Sequence, residues 1–102
     1  MRLRRRAFAE LVDTQLELFA GDHAQLLAEC EEALGAYDYA AAEDAEERYG
    51  EYVELVDAVR DELELVRDRY AASLDGRTAE AYEAAFNDAA RRRFPGWTLE
   101  LD

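Results

Sequence analysis

Apolar residues from Ala42 to Tyr70 recur at alternating steps of three and four, the spacing of a heptad seam along one face of a helix. Acidic residues fill the outward positions between them, from Glu47 to Asp68. The pattern predicts one long amphipathic helix with an acidic back. The seam residues are Ala42, Ala45, Tyr49, Tyr52, Val56, Val59, Leu63, Val66 and Tyr70.

A second seam with the same alternation lies upstream and predicts a partner helix. It continues across Gly21 without a change of phase, through Val12, Leu16, Phe19, His23, Leu26, Cys30 and Ala33. We expect a turn near 35–38, so that the two helices form an antiparallel hairpin. The numbers of facing residues then sum to 75, which places His23 opposite Tyr52 and Cys30 opposite Ala45.

Turn and capping residues set the predicted bounds of the hairpin helices. Helix one is expected at about 3–34, because Gly35 is a favourable residue just after a helix end. Helix two is expected at about 39–74, with Asp38 as its N-cap. The sequence therefore predicts an all-α chain dominated by one long helical hairpin.

A shorter third helix is expected at about 79–93, with Thr78 as its cap and Pro95 beyond its end. The final residues alternate apolar and polar side chains, but five residues without a partner strand do not form a sheet. We expect an extended C-terminal tail that packs on the helices through Trp97 and Leu99. The whole chain, 1–102, is predicted to be a single helical domain.

Six apolar residues lie outside the seams, in the half of the hairpin that the short third helix does not reach. We interpret them as an interaction surface, because so much exposed apolar area is unusual on a monomer. A homodimeric four-helix bundle would cover it, and coverage by another protein is the alternative. The residues are Leu27, Leu34, Tyr37, Tyr39, Val53 and Leu55.

The formal net charge is −13, and the basic residues are concentrated near the two ends. Between Glu10 and Asp88 there are 23 acidic residues and five arginines, while seven arginines lie in 2–6 and 91–93. Such a body repels nucleic acid and anionic membranes, so neither is expected as a partner. In the predicted register Arg5 faces Tyr70, and a cation over that ring would explain the N-terminal arginines.

The location expected for the chain is the cytoplasm. No run of about 18 apolar residues could span a membrane. The single cysteine cannot form an internal disulfide and fits a reducing compartment.

The small set of reactive side chains excludes several kinds of catalysis. The chain has no lysine, which excludes Schiff-base chemistry, and His23, Cys30 and Ser73 are each the only residue of their type. Cys30 lies two heptad steps from His23, about 10 Å along the helix, too far for a nucleophile and its base. A four-ligand cysteine and histidine zinc site is impossible in one chain. No catalytic residue and no cofactor are predicted.

His23 is the sharpest remaining candidate, since it is the polar residue within the first seam. One interpretation is a ligand or an acid/base residue in a bundle core. The other, which we favour, is a hydrogen-bonded buried residue that fixes the register of the two helices.

The abundant carboxylates offer a further candidate. Glu29 and Glu32, followed by Glu54 and Asp57, resemble a reduced form of the magnesium-binding pattern of the all-α nucleotide pyrophosphohydrolases. The resemblance covers these four positions, and Ala28 stands where that family has the first of its paired glutamates. It would imply a metal-dependent enzyme acting on nucleotides. In the predicted register the two pairs are about 12 Å apart within one subunit.

The favoured hypothesis is a non-enzymatic acidic helical interaction or structural protein, homodimeric or bound to a protein with a basic surface. The alternative is a carboxylate-based metal-dependent enzyme, acting on nucleotides or binding iron, with a site between subunits. An acidic mimic of nucleic acid is a third hypothesis.

Overall fold

The computed structural model describes residues 2–98 and Leu101, with side chains from Ala7 onward, and over these residues the chain is all-α without a strand. The described residues form four helices, which pack into an elongated body of 50 × 22 × 21 Å. Helix α2 packs against α3, while α1 packs mainly against α4, which also contacts α3. The helices are α1 (Arg2–Asp22), α2 (Ala24–Asp38), α3 (Ala45–Ala71) and α4 (Gly76–Arg93).

The predicted first helix is interrupted at His23, not at Gly21. The backbone angles of His23 are φ −115° and ψ 26°, away from helical values. Two helical hydrogen bonds nevertheless continue across this point, from His23 N to Phe19 O (2.9 Å) and from Leu27 N to His23 O (3.0 Å). The irregularity lies where the chain passes from α1, packed on α4, to α2, packed on α3.

The hairpin turn lies later than the sequence predicts. Gly35 is inside α2 with ordinary helical backbone angles, and the chain reverses over 39–44. Asp38 is consequently the last residue of α2, and Asp44 is the N-cap of α3, without a side-chain capping bond. A glycine inside a helix costs only about 1 kcal/mol relative to alanine. The following turn packs through the Tyr37 ring on Tyr49, and an aromatic contact of this kind opposes that cost.

Two contacts define the observed register of α2 against α3. The ring centroids of Tyr37 and Tyr49 are 5.2 Å apart, and His23 Nε2 lies 3.9 Å from Glu62 Oε2. Facing residue numbers therefore sum to 85 or 86 instead of 75. The difference of about 10 or 11 residues is three helical turns, which brings the same faces back together. Val59 and Leu63 face inward, as the seam of helix two predicts. The predicted register is wrong, and so is the length of the hairpin, because α1 packs against α4 and does not continue along α3.

The core is formed by the inward faces of the helices. Helix α1 contributes part of the first predicted seam, α3 contributes the middle of the second, and α4 contributes Tyr82 and Phe86. Cys30 of α2 is also fully buried. Among the described residues, the largest fully buried side chains are Val12, Leu16, Cys30, Val59, Leu63, Tyr82, Phe86, Thr98 and Leu101.

Helix α4 begins at Gly76, three residues earlier than predicted, because Asp75 is its N-cap. The Asp75 carboxylate accepts hydrogen bonds from Thr78 N (2.9 Å) and Thr78 Oγ1 (3.0 Å), which satisfies donors that the first helical turn leaves unpaired. Farther along α4, Asn87 Oδ1 accepts a hydrogen bond from Arg67 of α3 at 3.1 Å. This buried bond holds α4 against α3.

The C-terminal tail is folded into turns and is not extended. Trp97 N donates to Phe94 O (3.0 Å) and Leu101 N donates to Thr98 O (3.1 Å). The Thr98 hydroxyl also donates to Phe94 O, at 2.8 Å. Pro95 cannot continue α4, and these bonds fold the chain back beneath the C-terminal end of α4. Leu99 and the side chain of Arg5 lie outside the described residues, so the contacts predicted for them do too.

Candidate functional site

The end of the hairpin formed by residues 34–49, here called the distal end, lies beyond the reach of α4. Helix α4 contacts α3 through the C-terminal half of α3, where Tyr70 meets Tyr82 with ring centroids 4.8 Å apart. The chain after α4 extends toward the hairpin turn as far as Gly96 and Trp97, which lie beside Tyr52. The distal end therefore consists of two helices and their turn.

Large apolar side chains are exposed at this end. Tyr39 in the turn is 92% exposed, Tyr49 is 51% exposed and Leu34 is 37% exposed. Tyr37 is half-buried against Tyr49. Tyrosine is enriched at protein interfaces because its ring combines apolar area with a polar hydroxyl. We call Leu34, Tyr37, Tyr39 and Tyr49 the distal patch.

The distal patch contains half of the residues named in the sequence interpretation. The remaining three, Leu27, Val53 and Leu55, are half-buried. Leu27 and Leu55 pack against the core, since the observed register brings the α2 face onto the middle of α3. Sequence reasoning assigned Tyr49 to the seam. No signal in the sequence identified it, because its closeness to the turn depends on the chain reversing at 39–44.

Carboxylates surround the distal patch. From Glu29 to Asp57 the chain carries 11 acidic residues and one arginine, Arg48. That arginine is paired with Glu51 at 3.3 Å. A basic surface approaching this end is therefore attracted, and an acidic one is repelled.

His23 does not face Tyr52 and is not buried. Its side chain is 30% exposed, its ring lies on Phe19 with centroids 4.5 Å apart, and Nε2 is 3.9 Å from Glu62 Oε2. The change of partner follows directly from the three-turn difference in register. His23 thus marks the passage from α1 to α2 as a half-exposed residue beside a carboxylate.

The observed register brings the four candidate metal-ligating carboxylates to one level of the hairpin. Glu29 and Glu32 lie opposite the stretch that holds Glu54 and Asp57, whereas the predicted register separated the pairs. Glu32 and Glu54 are nevertheless exposed, and Asp57 is paired with Arg60 at 3.1 Å. Within residues 2–98 and 101, no group of three or more histidine, cysteine or acidic side chains is arranged to hold a metal ion.

Cys30 is fully buried between α2 and α3. Burial, together with the neighbouring Glu29 and Glu31 carboxylates, raises the pKa of its thiol above the usual value. A raised pKa keeps the side chain in the thiol form, which is a poor nucleophile. Cys30 therefore acts as a small apolar core residue.

A recess of about 210 Å³ lies beside the distal patch, where the C-terminal tail meets α3. We call it the aromatic recess. Sequence reasoning missed it, although Gly96 and Trp97 directly after the helix-ending proline are a signal that could have indicated it. It is lined by Tyr49, Tyr52, Val53, Val56, Asp57, Arg60, Gly96 and Trp97.

Comparison of the chain with protein-family models, curated proteins and solved structures gives no match. Among the described residues, no helix has both the length and the apolar character needed to cross a bilayer.

Proposed function

We propose that the chain is a non-enzymatic, acidic helical interaction protein whose distal patch binds a protein with a basic surface. The proposal rests on the distal patch itself, which exposes two tyrosines and a leucine at an end that α4 does not cover. Aromatic anchors at the centre of a contact, with charged residues around them, are typical of protein-binding sites.

The charge around the patch favours a basic partner over a second copy of the same end. Two distal ends would each bring five carboxylates and one arginine into contact, which is unfavourable at low ionic strength. A partner with arginine or lysine beside an apolar anchor complements both features of the patch. The homodimeric four-helix bundle expected from the sequence is therefore our second proposal for the same surface.

A displayed library of random peptides tests the proposal, because it offers basic, neutral and acidic sequences to the patch at the same time. We expect the selected peptides to combine arginine or lysine with an apolar residue, and to bind more weakly as salt is added. The double variant Leu34→Ser, Tyr39→Ser should weaken their binding at least about tenfold, the effect of removing hot-spot residues.

The matched control is the double variant Leu18→Ser, Leu65→Ser. These leucines are 61% and 52% exposed and lie outside the distal patch, so their replacement should leave peptide binding unchanged. Selection of neutral or acidic peptides would contradict the proposal, as would equal loss of binding in both double variants.

A carboxylate-based metal-dependent enzyme is the second candidate function. One observation favours it, because Glu29 and Glu32 lie level with Glu54 and Asp57 in the observed register. Since Glu32 and Glu54 face outward, the site would need carboxylates from a second copy. Calorimetric titration with Mg²⁺, Mn²⁺ or Fe²⁺ tests it: stoichiometric uptake that disappears in Glu29→Gln supports this candidate, and no uptake removes it.

A further inference from the structure

We propose that the aromatic recess binds the side chain of one arginine from the basic partner. This inference rests on the proposed function and assigns a specific subsite to it. The recess is about 210 Å³, below the roughly 300–1,000 Å³ of pockets that enclose a drug-sized ligand. Its size therefore suits a single side chain.

Three aromatic rings line the recess. They belong to Tyr49 and Tyr52 of α3 and to Trp97 of the tail. The faces of aromatic rings carry partial negative charge and attract cations, and tryptophan does so most strongly. The guanidinium group is planar and more weakly hydrated than an ammonium group, so arginine stacks on such rings more readily than lysine does.

The local charge also favours a cation. Arg60 is the one cation among the described residues that line the recess, and its guanidinium lies 3.1 Å from Asp57 Oδ1 and 4.0 Å from Asp61 Oδ1. Asp57 and Arg60 balance each other among the lining residues, and the Asp61 carboxylate just outside the recess leaves a net negative charge around this pair. Arg60 is 22% exposed in its side chain and competes with an incoming arginine for Asp57.

The recess is continuous with the distal patch through a shared residue. Tyr49 lines the recess and also contacts Tyr37 of the patch. A basic segment that covers the patch is therefore positioned to insert an arginine beside Trp97. The neutral side chains Val53 and Val56 would contact the methylene groups of that arginine.

Trp97 is the only tryptophan in the chain, so its fluorescence reports directly on the recess. The probes are two tripeptides, blocked at both ends, with either arginine or its neutral analogue citrulline between two glycines. We expect the arginine peptide to change the emission saturably. The citrulline peptide should require at least about threefold higher concentration for half-saturation, the effect of losing a cation–π contact.

Two variants of residues that line the recess should shift the affinity for the arginine peptide in opposite directions. Asp57→Asn removes a carboxylate and should weaken binding of the arginine peptide, whereas Arg60→Gln removes the resident cation and should tighten it. Equal binding of both peptides would overturn the proposal, and so would weaker binding to Arg60→Gln. The peptide comparison uses the natural sequence, so it remains decisive even where a variant does not fold.

The experiment separates this inference from the proposed function. The variant Leu34→Ser, Tyr39→Ser leaves the recess residues in place, so the difference between arginine and citrulline should persist in it. Library peptides that depend on the distal patch, combined with equal binding of the two tripeptides, would overturn the recess alone. Failure of the library selection would overturn the proposed function.

Discussion

Tyr82 shows how a single side chain joins three helices. It is fully buried, with ring centroids 5.5 Å from Phe8 of α1 and 4.8 Å from Tyr70 of α3. Its hydroxyl donates to Gln15 Oε1 at 2.7 Å. Burial raises the pKa of Tyr82 to about 12, because the surrounding side chains cannot solvate a phenolate.

The raised pKa predicts a loss of stability in strong base. Above about pH 10 the unfolded chain releases the Tyr82 proton while the folded chain retains it, so the free energy of unfolding falls as pH rises. We expect a loss of about 2 kcal/mol by pH 12, and none from this group below pH 10. Urea unfolding between about pH 8 and pH 12 measures it.

Tyr82→Phe is the informative variant for this prediction. It should cost about 1 kcal/mol near neutral pH through loss of the hydrogen bond to Gln15, and should reduce the loss of stability in base. Tyr39→Phe, at a 92% exposed position, should behave as the natural protein does. Identical pH profiles for the natural protein and Tyr82→Phe would contradict the assignment.

At the scale of the elements, the position of the turn decides how α2 meets α3. The spacing of apolar residues identifies the inward faces, and Val59 and Leu63 are fully buried as the seam predicts. It does not identify the register, because a shift by three turns pairs the same faces. Gly35 and Asp38 are the local signals for the predicted turn, and tertiary packing overrides both, since each lies inside α2.

Gly35→Ala tests the observed turn directly. Gly35 lies inside α2, and a Cβ added there meets no atom within 4 Å. We therefore expect alanine to increase the free energy of unfolding by about 0.5–1 kcal/mol, the usual gain in a helix interior. Gly21→Ala in α1, where a Cβ also meets nothing within 4 Å, should give a similar gain.

A turn at 35–38 and a turn at 39–44 predict opposite effects of Gly35→Ala on the free energy of unfolding. A glycine just after a helix end adopts left-handed backbone angles, which alanine adopts only with strain. A loss of stability in Gly35→Ala, alongside a gain in Gly21→Ala, would therefore place the turn at 35–38. Chemical denaturation of the two variants and the natural protein gives this comparison.

The candidate site was predictable only in part, for a similar reason. Three residues of the distal patch could be identified, because their exposure depends on the length of the third helix and not on the register. They are Leu34, Tyr37 and Tyr39. The facing partner of His23 and the level of the carboxylate pairs depend on the register, and these predictions were wrong. The aromatic recess depends on where the tail folds after Pro95, which no periodic pattern in the sequence specifies.

At the scale of the whole molecule, shape and charge together predict the oligomeric state. The body is 50 Å long, and the distal end carries five carboxylates and one arginine between Leu34 and Tyr49. At low ionic strength this charge opposes pairing of two distal ends. Salt screens the repulsion over a Debye length of about 10 Å at 0.1 M, and leaves the apolar contact between the patches.

Light scattering at several salt concentrations measures the balance between this charge repulsion and the apolar contact. We expect a mass near the 11.6 kDa monomer at low salt and an increase toward the dimer at high salt. Leu34→Ser, Tyr39→Ser should remain monomeric throughout. A dimer at low salt that dissociates as salt is added would show the opposite, namely self-association through attraction between the terminal arginines and the acidic body.

The pairing of α1 with α4 has a consequence for synthesis of the chain. Gln15 and Tyr82, which share a hydrogen bond, are 67 residues apart, whereas Tyr37 and Tyr49 of the hairpin are separated by only 12. Contacts between distant segments form later than local ones. At roughly 5–20 residues per second, the apolar face of α1 waits about 3–13 s on the ribosome for its partner. The hairpin that carries the distal patch joins nearer segments, so its contacts are expected to form before those between α1 and α4.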